Sequence, residues 1–278
     1  MAPLGFPNFG PYLNPISWKL LDVVFNWAFK QPLTRLWRAA GQTAPANILT
    51  ELLTSQQLNL VAVDPLFCVG SEDWQPFNQI CGFLNLTEDA QQWLFPHSLS
   101  AFLDHGPAPV YMTFGSLQQA VPEWSMDLFL QAVELAGCRA IIQSSSQRYP
   151  AGSQIDNVYF IGKHPHQPVF KRCAAVVHHG GAGTTHAATR SACPSVVVPF
   201  MDEQMFWGRR LQQLALAGQP LPAKNVTAEA LAEAINVTLA SAHYRQQAQR
   251  ASQTMQNNDG VAKAMQLLHA RIQFDRGL

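Results

Sequence analysis

The segment Ala174-Ala-Val-Val-His178-His179-Gly180-Gly181-Ala182-Gly183-Thr184-Thr185 carries the residue types best suited to holding an anion. An apolar run of strand type leads into glycines, and the residues after them open a helix. A turn of that kind presents backbone N–H groups without partners and the positive end of a helix dipole, which together favour phosphate. The glycines let the backbone come close to the anion, and the hydroxyls of Thr184 and Thr185 add donors. The spacing matches neither the dinucleotide fingerprint GxGxxG nor the P-loop GxxxxGK followed by Ser or Thr. That speaks against NAD binding and simple nucleotide hydrolysis. The plain alternative is a tight strand-to-helix turn without a ligand; two histidines beside three glycines and two threonines favour phosphate.

A second group follows one strand later, in Val198-Pro199-Phe200-Met201-Asp202-Glu203-Gln204-Met205-Phe206-Trp207-Gly208. An acid and an amide at the carboxyl end of a strand can each hold neighbouring sugar hydroxyls with paired hydrogen bonds. The competing expectation is that Asp202 caps the helix beginning here. Both can hold, with Asp202 as cap and Glu203 and Gln204 as ligands. Among the other histidines, His178 ends a buried strand and is expected in the core. His186, one turn into the helix, is a supporting partner or an ordinary helix residue. His97 and His105 fall in a linker, and His243 and His269 on helix surfaces.

The elements that must carry these groups become regular only from Pro109 onward. Strands are predicted at Pro109–Phe114, Arg139–Gln143, Val158–Ile161, Ala174–His178 and Ser195–Pro199. Helices are predicted from Pro122 to Gly137, Gln204–Leu216, Ala228–Leu239 and Val261–Ile272, with Thr227 and Asp259 as caps of the last two. Short apolar strands alternating with helices predict an α/β fold, a doubly wound parallel sheet covered on both faces. Ligands in such sheets bind beyond the carboxyl ends of the strands. The text before Gly106 is irregular. A helix runs from Ile16 to Phe29, breaks at Pro32 and resumes through Arg38; a short helix Ile48–Leu53 and a strand Leu58–Val63 follow. Residues 1–106 are therefore expected to form a partial N-terminal domain and linker, and residues 107–278 the binding domain. Trp18, Leu21, Phe25 and Phe29 at near-helical spacing are expected in a core, the alternative being a face toward a lipid or a membrane.

Composition narrows the function classes. Eighteen basic and eighteen acidic residues cancel, and charged residues are only 13% of the 278-residue chain. Nucleic acid is excluded as a partner, since it calls for a basic footprint. The five cysteines are scattered with no CxxC pair, which argues against a zinc site or a disulfide framework and for a reducing cytoplasm. No stretch is long and apolar enough to span a bilayer.

Taken together these segments resemble the C-terminal, donor-binding half of a GT-B glycosyltransferase of the UDP-glycosyltransferase family, in its sterol glucosyltransferase and bacterial macrolide-type branch. The resemblance covers about Pro109 to Leu278 and rests on Val110-Tyr-Met-Thr-Phe-Gly-Ser116, Ile161-Gly-Lys-His-Pro165-His-Gln-Pro-Val-Phe170, the histidine–glycine turn and Glu203-Gln204. A weaker echo extends back through Asp73-Trp74 and Gly82-Phe83-Leu84. The resemblance implies that His179, Gly181, Gly183 and Thr184 meet the donor's diphosphate, with Gly115 and Ser116 facing it from the first strand. Glu203, where the family has aspartate, and Gln204 would hold the sugar. His164, Pro165 and His166 would meet the base. Lys163 stands where plant members stack a tryptophan, which leaves base recognition to backbone groups and keeps UDP and dTDP both open.

The implied reaction is inverting, metal-independent transfer of a hexose such as glucose to a hydroxyl of a lipophilic acceptor, a sterol or another natural product. No cofactor is implied, the nucleotide sugar (UDP-glucose or a dTDP-sugar) being substrate. The family's base is a histidine early in the N-terminal domain; no histidine precedes His97 here, so the resemblance leaves the catalytic residue outside this chain. The alternative is a non-catalytic nucleotide-sugar-binding subunit whose partner chain completes the N-terminal domain and supplies the base. Peripheral membrane contact is compatible with either.

Overall fold

Pro15 sits in the first turn of α1 (Asn14–Ala39), a position where its missing N–H costs nothing. The computed structural model describes residues 13–68, 70, 74–85, 93–115 and 124–276. Contrary to the predicted break, α1 continues through Pro32. Proline there removes one donor from the helix ladder, but Ala28 and Pro32 are both exposed, so solvent can serve the freed carbonyl. The short helix expected after it is instead one wide turn, Ile48–Leu52, closed by a bond from Leu53 N–H to the Ile48 carbonyl at 3.0 Å. Two short strands, β1 (Asn59–Val61) and β2 (Asn78–Ile80), pair in parallel.

The polar residues of α1 are used on its own neighbours. Asp22 accepts from both Asn26 and Asn47, and Asn26 accepts from the Ile48 N–H at 3.1 Å. Its apolar residues are left outward: Ile16, Leu20, Val23 and Trp27 recur at helical spacing, and Trp27 is 85% exposed. The expected core placement fails for Trp18 and Phe29, each about half exposed, while Leu21 and Phe25 are half-buried.

The second part begins with α2 (His97–Asp104) and continues through β3 (Val110–Thr113), α3 (Trp124–Ala136), β4 (Ala140–Gln143), β5 (Gln154–Ile155) and β6 (Val158–Ile161). It goes on with α4 (His166–Phe170), β7 (Ala175–His178), α5 (Ala182–Arg190), β8 (Ser195–Val197), α6 (Asp202–Gln213), α7 (Ala228–Ala240) and α8 (Ala242–Gln256). The last helix is α9 (Gly260–Arg276). Helix α8 had no counterpart in the sequence reading because its composition is almost entirely polar, with no long apolar stripe to read. Thr227 and Asp259 cap as predicted, accepting from the N–H groups of Ala230 and Ala262.

The six strands are ordered β5-β6-β4-β3-β7-β8, parallel throughout except for the antiparallel β5. Both faces are covered, so alternate residues of one strand enter different cores. Val110 and Met112 join Phe129, Val133, Leu231 and Ile235 on one face. Tyr111 joins Leu99, Phe102 and Phe170 on the other. That two-sided burial is why the strands read as unbroken apolar runs. By compactness the chain falls into two units, residues up to 84 with 259–278, and residues 85–258. Helix α2, assigned to the linker from sequence, belongs to the sheet unit; α9, assigned to the binding domain, belongs with the first.

Candidate functional site

Strand order reverses between β3 and β7: from β3 the chain moves outward through β4 and β6, then crosses back to β7 and β8. A crevice opens beyond the carboxyl ends at such a point, and the segments singled out from sequence lead out of the strand ends there. After β7, the Gly180 N–H donates to His178 Nδ1 at 3.1 Å, which leaves the ring proton of His178 on Nε2. Gly180 has φ 89°, and a side chain there would also meet the Gln204 carbonyl oxygen at 2.7 Å. Only glycine satisfies both conditions.

The His179 ring fills the gap between two further glycines. A Cβ at Gly115 would reach its Cε1 at 2.8 Å, and one at Gly181 would collide with Nε2. Gly115 itself (φ 59°) is held by Thr113, whose Oγ1 accepts from the Gly115 N–H at 2.8 Å and donates to Gln143. Gly181 is the N-cap of α5 and has no side chain to cap it, and the first helical bond runs from Thr185 N–H to the Gly181 carbonyl at 2.9 Å. The N–H groups of Ala182, Gly183 and Thr184 therefore have no partner among the described residues. Outside its own helix, no atom of the described residues lies within 4 Å of a Cβ built on Gly183. Thr184 and Thr185 are buried, and Thr185 Oγ1 has no hydrogen-bond partner among the described residues.

Burial keeps the histidines of this region uncharged. It lowers the pKa of His179 to about 4 and, with help from His179 and His166, that of His178 to about 3. His166 is lowered to about 4 by burial first, then by His164 and His179. What this turn offers an anion is therefore oriented N–H dipoles rather than imidazolium charge.

In the loop after β6, His164 is turned inward. Its Nδ1–H donates to the Gly162 carbonyl at 2.8 Å, Nε2 lies 3.4 Å from the Tyr111 hydroxyl, and the ring packs on Trp93. Pro165 is the N-cap of α4, and His166 stacks on Phe170 with its Nδ1 buried and unpartnered. Lys163 is exposed.

After β8, helix α6 starts at Asp202 with Met201 as N-cap and no side-chain cap. Asp202 is exposed and does not make the capping bond expected of it. Glu203 accepts from the indole Nε1–H of Trp207 at 2.6 Å. Gln204 is 3% exposed; its Oε1 accepts from the Phe200 N–H at 2.8 Å, and its Nε2 makes no bond to the described residues. His178 is fully buried, as its strand position predicts, and His186 bonds the Ala182 carbonyl through Nδ1 at 2.7 Å. His97 and His105 are exposed. Ser116 lies outside the described residues. Among those residues no group of three or more His, Cys, Asp or Glu is gathered to hold a metal.

The fold thus brings the His179 ring close to Gly115 and Gly181, and Gly180 close to the Gln204 backbone, while the side chain of His164 is spent inside the fold. Gly180 and Trp207 carry no individual role in the sequence pattern, and His186 takes the place of a supporting partner on α5. The signal for Trp207 is its spacing of four from Glu203, which stacks both on one helix face.

This parallel sheet, with helices on both faces, has the fold of GT-B glycosyltransferases. The glycotransferase of kitacinnamycin superposes with a TM-score of 0.68 at 18% identity, over 93% of this chain and 66% of that one. The glycosyltransferase VinC, solved with dTDP, superposes with a TM-score of 0.63 at 20% identity, over 88% and 58%. The chain belongs to the family of erythromycin biosynthesis protein CIII-like C-terminal domains, matched over residues 127–268. It is 34% identical to sterol 3-beta-glucosyltransferase UGT80A2 of Arabidopsis thaliana, over 70% of this chain and 30% of that protein. To glycosyltransferase GtfE of Amycolatopsis orientalis it is 32% identical, over 85% of this chain and 60% of that one. The chain therefore spans between about a third and three fifths of the length of these relatives.

Proposed function

We propose that the chain is the donor-handling part of a glycosyltransferase that passes a hexose, glucose in the first instance, from a nucleotide diphosphate sugar to a hydroxyl of a lipophilic acceptor. The observation that carries this is the uncapped N-terminus of α5 at the reversal of strand order, with three N–H groups free among the described residues and open space at Gly183. Such a terminus favours a diphosphate, and favours it more as charge grows on the departing nucleotide. His179, neutral and fixed between Gly115 and Gly181, would add a hydrogen bond, and Thr184 a hydroxyl. Glu203 and the free Nε2 of Gln204 would take the sugar hydroxyls, and the loop His164–His166 the base, UDP or dTDP.

The acceptor oxygen attacks the anomeric carbon with inversion as a base removes its proton, and nucleotide diphosphate leaves. The base would come from outside the residues described. The sugar nucleotide is substrate, and no cofactor enters this scheme. For the acceptor side we assign the outward stripe of α1. It is apolar, and the helix carries Lys19, Lys30, Arg35 and Arg38 against the single acid Asp22, a charge that fits an anionic lipid surface. A partner chain over this stripe is the competing occupant. We place the chain in a reducing cytoplasm, the compartment that fits five scattered cysteines with no CxxC pair.

Calorimetric titration of UDP, UDP-glucose and dTDP-glucose tests the donor site. Micromolar-range binding is expected, weakened in His179→Ala by about 1–3 kcal/mol, the scale of a hydrogen bond to a charged group. Equal affinity in both proteins removes His179 from the site.

A further inference from the structure

Glu203 and Trp207 are four residues apart on α6, and the indole Nε1–H of Trp207 donates to Glu203 Oε1 at 2.6 Å. Trp207 is 6% exposed, and its ring meets His186 edge-on with centroids 5.5 Å apart. His186, 1% exposed, is tied through Nδ1 to the carbonyl of Ala182, the first residue of α5. A chain of contacts therefore runs from the N-terminus of α5 through an imidazole and an indole to a carboxylate on the next helix.

A glutamate at a helix start ordinarily keeps much of its rotamer freedom, and ordering it carries an entropic cost. Here one oxygen is committed to a donor that has no other chemistry available, since an indole offers a single N–H and accepts nothing. If Glu203 swung into water, that buried N–H would lose this acceptor, so each group holds the other. The second oxygen has no hydrogen-bond partner among the described residues.

We propose that Trp207 is a positioning residue that holds the Glu203 carboxylate ready for the hydroxyls of the donor sugar, so that it governs recognition of the sugar and not of the nucleotide. This rests on the assignment of Glu203 to the sugar made above. It predicts a split between ligands that differ only in the sugar, which a merely structural role for a buried tryptophan would not produce.

The test titrates the full chain with UDP and with UDP-glucose, as the unmodified protein, Trp207→Phe and Glu203→Ala. It also follows the Trp207 indole N–H resonance, assigned from its loss in Trp207→Phe. Trp207→Phe keeps an aromatic ring, smaller than the indole, and removes the donor. Its UDP affinity is expected within about twofold of the original, while its preference for UDP-glucose over UDP falls about fivefold or more, toward that of Glu203→Ala. The indole resonance is expected downfield in the unmodified protein and upfield in Glu203→Ala. Equal loss of both ligands in Trp207→Phe, or an unchanged preference, overturns the proposal, and so does an indole resonance indifferent to Glu203→Ala. Failure of the unmodified chain to bind UDP at all overturns the underlying donor-site assignment, while the resonance still reports whether the clamp exists.

Discussion

His179 is fixed by what its neighbours lack. Two glycines leave room for its ring and a third, Gly180, makes the bend, so the imidazole is oriented by missing side chains rather than by hydrogen bonds. Gly183 differs from these three, because no close neighbour among the described residues explains it: outside its own helix a Cβ there meets none of their atoms within 4 Å. Gly183→Ala is accordingly expected to fold normally and to gain about 0.5–1 kcal/mol, the helix propensity of alanine over glycine. UDP-glucose affinity should nevertheless fall several-fold, because the methyl group enters the space an anion would use. A thermal melt paired with a titration checks this, and a variant that binds as well as the original removes Gly183 from the proposed cradle.

At the scale of elements, α5 and α1 show opposite solutions to the helix problem. Helix α5 is buried on its flank and leaves its N-terminus free, an arrangement that suits an anion. Helix α1 turns Asp22 and Asn26 toward its own unit and shows Ile16, Leu20, Val23 and Trp27 outward, which leaves apolar area uncovered. Replacing Val23 and Trp27 together by glutamate is expected to lower the fraction of protein sedimenting with phosphatidylserine-containing vesicles by about tenfold, with UDP-glucose affinity unchanged. Should the double variant instead change oligomeric state and leave vesicle binding alone, the stripe belongs to a partner chain.

For the whole molecule, the buried histidines make stability depend on pH. In the unfolded chain they take up protons below about pH 6.5, whereas His166 and His179 resist until about pH 4 and His178 until about pH 3. Across that window the unfolded state binds more protons, so stability falls as the pH falls. The stabilisation is complete above about pH 6.5 and is lost progressively below it, at up to about 1.4 kcal/mol per unit of depression for each group. Differential scanning fluorimetry between about pH 7.5 and 4.5 should show a steadily falling melting temperature, less steep in His178→Gln. A flat profile contradicts the uncharged state of these rings.

The sequence by itself determined the sheet unit in large part. Apolar runs at Val110–Thr113, Val158–Ile161 and Ala175–His178 read as strands buried on both faces, and the glycines after His178 read as a tight strand-to-helix turn. Those are local properties, set by period, by glycine and by the demand to satisfy backbone groups. What tertiary structure alone decided is which partner each polar group finds. It turned His164 into the fold onto Tyr111 and Gly162, left Asp202 without a capping role and gave Glu203 to an indole. It also carried α1 through Pro32 and grouped α9 with the first unit. These outcomes depend on contacts between residues far apart in the chain, or on which side of a helix stays wet, and neither is written in local spacing.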